Sequence, residues 1–321
     1  MKLPFFDVVE QDFAAVNQLI LDSLSSHVPL VEEISEYLID AGGKRLRPLL
    51  VLLAANASGY QGRQHIALAA IIEFLHTAML LHDDVVDASE LRRGRKTVNA
   101  TWGNPASVLV GDFLHSRAFE MMVEIGDLRV MEILSHATNT IAEGEVQQLT
   151  NIRNPDISEA SYMEVISRKT AMLFEAASHS AAVLAGASQQ DEDALKNFGR
   201  HIGLAFQLVD DVLDYQGDTA DLGKNVGDDL AEGKMTLPLI IARARGNSEQ
   251  ADFVKHAIMS GGVENLADMV AVVTETGGLA YTQQLALAQT KATSASIECL
   301  AESPFKTAMQ ELAVFSTSRS F

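Results

Sequence analysis

The chain has 321 residues and carries 43 Asp plus Glu against 24 Lys plus Arg, a formal charge of −19. This excess excludes a general nucleic-acid binder, whose affinity comes from cations laid along the phosphate backbone; an anionic ligand must be met by a local basic cluster or by metal ions. Apolar residues make up 47% and charged residues 21%, which excludes a disordered chain and predicts a sizeable core.

In chain order, the segment Met1-Lys2-Leu3-Pro4-Phe5-Phe6-Asp7 has no apolar run before a small-residue cleavage site. No secretory leader is expected, and the expected location is the cytoplasm. Helices are expected over 13–24, 30–38, 46–57, 66–81, 106–124, 130–151, 159–187, 198–215, 235–244 and 279–300. The segments 66–81 and 198–215 are apolar around most of their circumference, as for helices buried inside a bundle. Breakers fall between the segments, including Gly42-Gly43, Asn104-Pro105, Asn154-Pro155 and Gly277-Gly278. Alternating strand patterns are scarce, and no Pro-rich or Ser-rich linker divides the chain. Length alone suggests two domains, but this pattern predicts an all-α fold, one large helical bundle over 1–321. No stretch offers the roughly 18 uninterrupted apolar residues of a membrane span. The single Cys299 cannot form an intrachain disulfide and is read as a packing residue of the last expected helix.

Two segments carry one pattern: Asp83-Asp84-Val85-Val86-Asp87 and Asp210-Asp211-Val212-Leu213-Asp214, each at the C-terminal end of an apolar helix. On a helix, positions i and i+4 share a face, so Asp83 pairs with Asp87 and Asp210 with Asp214, with Asp84 and Asp211 beside them. Like charges at that spacing destabilise a helix, and carboxylates suit its C-terminus poorly. Two such clusters in apolar surroundings imply a cation. Oxygen-only ligands without Cys or paired His point to Mg²⁺, which favours carboxylates together with substrate phosphates. Two facing rims would bind more than one ion around a polyphosphate.

Basic residues are rare, so their clustering is informative. Gly42-Gly43-Lys44-Arg45-Leu46-Arg47-Pro48 and Arg92-Arg93-Gly94-Arg95-Lys96 set cations beside flexible glycines, an arrangement suited to diphosphate recognition. Isolated candidates are Lys169 beside Thr170, Lys224 and Lys234. His76 stands seven residues before Asp83, and Gln207 three before Asp210, so both share a helical face with an acid rim.

These residues resemble the trans-isoprenyl (polyprenyl) diphosphate synthase family, and within it the bacterial octaprenyl synthases. The resemblance runs from the box at 42–48 through Glu73-Phe74-Leu75-His76-Thr77 and both aspartate motifs to Gly233-Lys234-Met235-Thr236-Leu237-Pro238. It implies an isoprenoid-synthase bundle with a central hydrophobic cavity, and a Mg²⁺-dependent elongation in which an allylic diphosphate (farnesyl or similar) ionises and isopentenyl diphosphate adds to the cation. By the same resemblance Asp83, Asp84, Asp87, Asp210, Asp211 and Asp214 hold two to three Mg²⁺, with contacts from Arg92, Lys169, Gln207, Lys224 and Lys234. Lys44, Arg47, His76 and Arg93 hold isopentenyl diphosphate, and Thr170 acts at a helix break near the cation. Released pyrophosphate takes the final proton. Growth of the product needs a tunnel below the first motif, and Met79 and Ala78 lie about one turn down that wall; Ala78 leaves it open, and Phe74 is the nearest aromatic. The family is typically homodimeric, and the octaprenyl product is the kind that becomes a respiratory quinone tail. No amphipathic basic helix supports stable membrane attachment.

Rival readings fare worse. A class I terpene cyclase would replace the second aspartate motif and lack the basic box. A di-iron bundle needs Glu-x-x-His on two helices, and only Glu73 to His76 fits. A non-catalytic partner subunit would be expected to lose ligands that this chain keeps. A synthase of another product length is the near alternative.

Overall fold

In a computed structural model, residues 4–40, 42–92, 94–216, 227–261 and 266–318 are described. They form helices almost throughout: a 3-10 turn Pro4–Val9, then α1 Glu10–Ser23, α2 Pro29–Asp40, α3 Leu46–Ala57, α4 Gln64–Val86, α5 Val98–Trp102, α6 Asn104–Ile125, α7 Leu128–Asn151 and α8 Glu159–Ile166. A π turn, Ser167–Ala171, leads into α9 Met172–Leu184 and α10 Gln189–Gln216. The chain continues with α11 Asp228–Ala231, α12 Leu237–Arg245, α13 Ser248–Ser260, α14 Leu266–Glu275, α15 Gly278–Ser296 and α16 Pro304–Thr317. Among the described residues the only sheet is a hairpin of β1 Leu91–Arg92 and β2 Arg95–Lys96, turning at Gly94 with φ +73°.

The chain divides into two compact units. Unit one takes Met1–Thr138, Leu173–Gly199 and Ser296–Leu312; unit two takes Asn139–Met172, Arg200–Ala295 and Ala313–Phe321. In unit one α4 is the central helix, packed by α6, α3 and α1, and its Leu68, Ile71, Ile72 and Leu75 are fully buried. By length and composition α4 would suffice to cross a membrane, with a mean hydropathy of 1.5, yet 61% of the window concerned is buried. This is the signature of a core helix. Unit two is held by an apolar core in which Leu208, Val209 and Val212 of α10 meet Leu237 and Leu239 of α12 and Val254 and Ile258 of α13.

Several expectations are corrected. The helix expected over 159–187 is interrupted by the π turn, and 279–300 ends at Ser296. Cys299 therefore lies in the turn beyond α15 and is exposed, not a packing residue. Five helices were not anticipated: α5, α11, α13, α14 and α16. The start of α13 carries a legible signal, a capping box in which Asn247 and Gln250 bond each other's backbone N–H, and Pro304 opens α16 at a position where proline costs no hydrogen bond.

Candidate active site

In unit one the last turns of α4 present Glu73, His76, Thr77, Leu80, Leu81 and Asp84 at three- and four-residue steps, one face of the helix. That face looks into an open cavity of about 880 Å³, its mouth included, whose rim carries Arg45, Arg92, Arg95 and Lys96. The end of α4 is fixed from outside: Ser107 donates to the Leu81 carbonyl at 2.8 Å, and the Asn99 amide to the carbonyls of Asp84 and Ser89 at 3.0 and 3.1 Å. Asp84 is 4% exposed. Arg92 grips one of its oxygens through Nε at 2.8 Å and Nη2 at 2.7 Å. Burial nevertheless raises the Asp84 carboxyl above its ordinary range, outweighing the Arg92 charge, and Asp83 and Asp87 push the same way. Asp83 and Asp87 are half-buried.

The first basic box opens α3. Arg45 caps that helix in a left-handed conformation, φ 45°, and its guanidinium reaches Asn17 and Glu73, the latter at 3.9 Å. Arg47, two residues on, bonds His76 Nε2 at 3.1 Å and lies 4.2 Å from the Phe174 ring centre. Lys44 is exposed in the preceding turn. The Arg47–His76 and Asp84–Arg92 pairs thus lie in one unit, and His76, Asp84 and Arg92 line the same cavity. Of the chain-length positions, Phe74 lines the cavity, Ala78 is buried and Met79 is half-buried.

In unit two the π turn carries Lys169 and Thr170. Such turns widen the helix by one residue and recur at functional sites. It lies close against α7 because residue 144 is glycine: a Cβ there would sit 2.9 Å from Arg168 Cβ and 3.0 Å from the Lys169 nitrogen. Glu145 and Gln148 on α7 then hold the Lys169 ammonium at 2.6 and 2.7 Å. Thr170 donates to Gln207 Oε1 at 2.9 Å, Gln207 Nε2 donates to Asp211 Oδ1 at 2.8 Å, and the Tyr162 hydroxyl donates to Asp211 Oδ2. Asp211 is 1% exposed. Its carboxyl is pushed up to about 8, by burial first and then by the charges of Asp229 and Asp210, against the lowering effect of the Tyr162 and Gln207 bonds. Burial and the Asp211 charge drive the Tyr162 hydroxyl well above its usual range, so it stays a donor.

The remaining members of the second motif are close by in sequence and differ in exposure: Asp210 is half-buried and Asp214 fully buried. Asp214 Oδ2 accepts from the Asp229 amide at 3.3 Å. The turn after α11 places Lys234, whose amide bonds the Asp229 carbonyl at 2.8 Å and whose ammonium meets Glu232 at 2.5 Å. Arg153 braces that turn through a 2.9 Å bond from its amide to the Gly233 carbonyl. Arg93 and Lys224 lie outside the described residues. Glu145, Gln148, Tyr162 and Asp229 belong to no motif that marks them as site residues in the sequence, and Arg45 stands out there only as a member of the first basic box. Tyr162 does stand seven residues before Lys169, and Asp228-Asp229 follows a glycine, but neither pattern is specific without the fold.

In each unit the carboxylate oxygens fit a hard divalent cation: Asp84 in the first and Asp211 in the second are in surroundings that penalise their charge until a cation offsets it. Among the described residues no three Asp, Glu, His or Cys side chains are already grouped as a metal cage.

Comparison with known proteins agrees with this chemistry. The octaprenyl diphosphate synthase of Haemophilus influenzae is 49% identical over 315 residues, 98% of this chain and 96% of the relative. An all-trans-nonaprenyl-diphosphate synthase (geranyl-diphosphate specific) of Rhodobacter capsulatus is 48% identical over 305 residues, 95% of this chain and 94% of that one. The crystal structure of a polyprenyl synthase from Caulobacter crescentus CB15, complexed with calcium and isoprenyl diphosphate, superposes with a TM-score of 0.95 at 45% identity, covering 98% of this chain and 97% of that one. The profile of the polyprenyl synthetase family matches residues 28–275. The chain belongs to the polyprenyl synthetase family, whose all-helical isoprenoid synthase fold it shares.

Proposed function

We propose that this protein is a prenyltransferase that condenses isopentenyl diphosphate with an allylic diphosphate, farnesyl or similar, and repeats the step to all-trans octaprenyl diphosphate, the precursor of a quinone side chain. The observation that carries the reading is that both aspartate motifs keep all six carboxylates, each closing a long helix with basic or amide partners in its own unit. The 49% identity to an octaprenyl synthase supports the product class. One polyprenyl synthase domain spanning 1–321, a cytoplasmic location and a homodimer belong to the same proposal. Exposed Leu109, Val123 and Leu128, at 66%, 65% and 81%, support a further apolar contact on α6 and the start of α7.

Asp83, Asp84, Asp87, Asp210, Asp211 and Asp214 would hold two to three Mg²⁺. When bound, these ions would supply charge stabilisation to the allylic diphosphate as its carbon–oxygen bond ionises. Arg92 holds Asp84 in place and offers its remaining N–H groups to the same diphosphate; Lys169, Gln207, Lys224 and Lys234 add donors. Lys44, Arg47, His76 and Arg93 bind isopentenyl diphosphate, with the Arg47 to His76 contact fixing both side chains before the ligand arrives. Thr170, in the π turn, orients toward the developing carbocation, and released pyrophosphate removes the last proton. No nucleophile on the protein is needed.

The test is incubation of purified protein with farnesyl diphosphate, labelled isopentenyl diphosphate and Mg²⁺, followed by dephosphorylation and mass spectrometry of the alcohols. A Mg²⁺-dependent ladder ending at octaprenol is expected. Cyclised hydrocarbon without isopentenyl incorporation, or no turnover, would overturn the reading. A second product length has one specific observation in its favour, the nonaprenyl synthase at 48% identity, and a ladder ending at nonaprenol would select it.

A further inference from the structure

We propose that Tyr162 is a positioning residue for this transfer reaction, acting through Asp211 and Gln207 to set the hydroxyl of Thr170; the inference rests on the function proposed above. Tyr162 is 6% exposed and its ring lies in the apolar core of unit two. Its hydroxyl nonetheless donates to Asp211 Oδ2, while Gln207 Nε2 takes Oδ1 at 2.8 Å. Each oxygen of a carboxylate 1% exposed thus meets a protein donor. The Gln207 amide is then fixed in sense: its nitrogen faces the carboxylate, so its oxygen must face Thr170, which donates to it at 2.9 Å. The proton of the Thr170 hydroxyl is thereby committed to Gln207, leaving its oxygen lone pairs as the group presented by the π turn.

In the ionised form of Asp211, the form a bound cation favours, every link in this chain has a defined direction, because a carboxylate only accepts and a committed amide nitrogen only donates. Removing the phenol hydroxyl leaves one buried carboxylate oxygen without that donor, a cost that the Gln207 amide, already bonded to the other oxygen of the same carboxylate, relieves by shifting toward it. Such a shift releases Thr170. Buried polar networks transmit changes of this kind because their members have few alternative partners.

The experiment is steady-state kinetics of Tyr162→Phe, Thr170→Val and the double variant, with thermal unfolding of each. Tyr162→Phe keeps the ring and removes only the hydroxyl. Displacement of a reacting group by a fraction of an ångström to 1 Å predicts a fall in kcat of about tenfold to hundredfold, with KM for both diphosphates held within about threefold. Thr170→Val should give the same split, and the double variant should be no slower than the slower single variant, since both cut one chain. A purely structural tyrosine would lower the unfolding midpoint and leave kcat alone. The proposal is overturned if Tyr162→Phe keeps kcat within about twofold, or if the two losses multiply. It is equally overturned if Thr170→Val, which needs no core repacking and can be read even if the tyrosine variant does not fold, leaves kcat unchanged. Failure of the unmodified protein to elongate any prenyl diphosphate would instead remove the underlying function.

Discussion

A buried carboxylate is informative because its charge is disfavoured until something opposes it. The Asp211 carboxyl, pushed up to about 8 from an ordinary 3.8, binds a proton in the native state over a range where the unfolded chain has lost it. Native proton uptake then exceeds unfolded uptake between those two values, so this group's contribution to stability falls as pH rises through the window. His115 and His179, lowered mainly by burial, act in the opposite direction near neutrality. The comparison that isolates the aspartate is the unfolding midpoint of metal-free protein against Asp211→Asn from pH 5 to 8. The variant is expected to gain on the unmodified protein steadily as pH rises, and a constant gap would mean that Asp211 ionises normally. The spacing of the motif was readable in the sequence, and so was the need for a cation. Gln207, four residues before Asp211 on the same helix, was readable too; that Asp84 and Asp211, the second members of the two motifs, are buried and engaged by Arg92 and Tyr162 was not, because those partners come from other elements.

At the scale of elements, apolar periodicity located most helices, and 46–57 was anticipated at both ends because the Gly42-Gly43 pair precedes it and Gly59 follows it. The π turn was invisible to periodicity: it adds one residue to a helix whose apolar face continues on either side, so 159–187 reads as unbroken. What creates the local geometry is a neighbour, Gly144 of α7, which lets the π turn close on that helix. Gly144→Ala separates the effects. In a free helix the added methyl would stabilise by about 0.5–1 kcal/mol. Here it meets Arg168 Cβ at 2.9 Å and the Lys169 amide at 3.0 Å, and Lys169 and Thr170 must move. The expected outcome is helical content unchanged by circular dichroism and kcat reduced about tenfold or more. Retention of full activity with a raised unfolding midpoint would show that the close approach has no role in the chemistry.

For the whole molecule, the −19 charge and the diphosphate substrates of the proposed function are reconciled locally, by cations gathered on a few turns and, on that proposal, by a divalent metal. Product length is a different kind of property. Relatives at 49% and 48% identity are named for eight- and nine-unit products, so overall similarity does not set it, and the residues that stop the growing chain must. We infer that Ala78, 1% exposed on α4 and five residues before Asp83, stands at the wall of the product path, where its methyl would leave room for a long product. Ala78→Tyr puts a ring where a methyl was, at a packing cost of about 1–3 kcal/mol, and the ring must either enter the path of the product or displace a neighbouring helix. In the first case isopentenyl diphosphate is still consumed but the alcohols end several units short of octaprenol; in the second the unfolding midpoint drops and the ladder keeps its length. Mass spectrometry of the products together with the midpoint separates the two, and an unshortened ladder would place the wall of the tunnel away from Ala78.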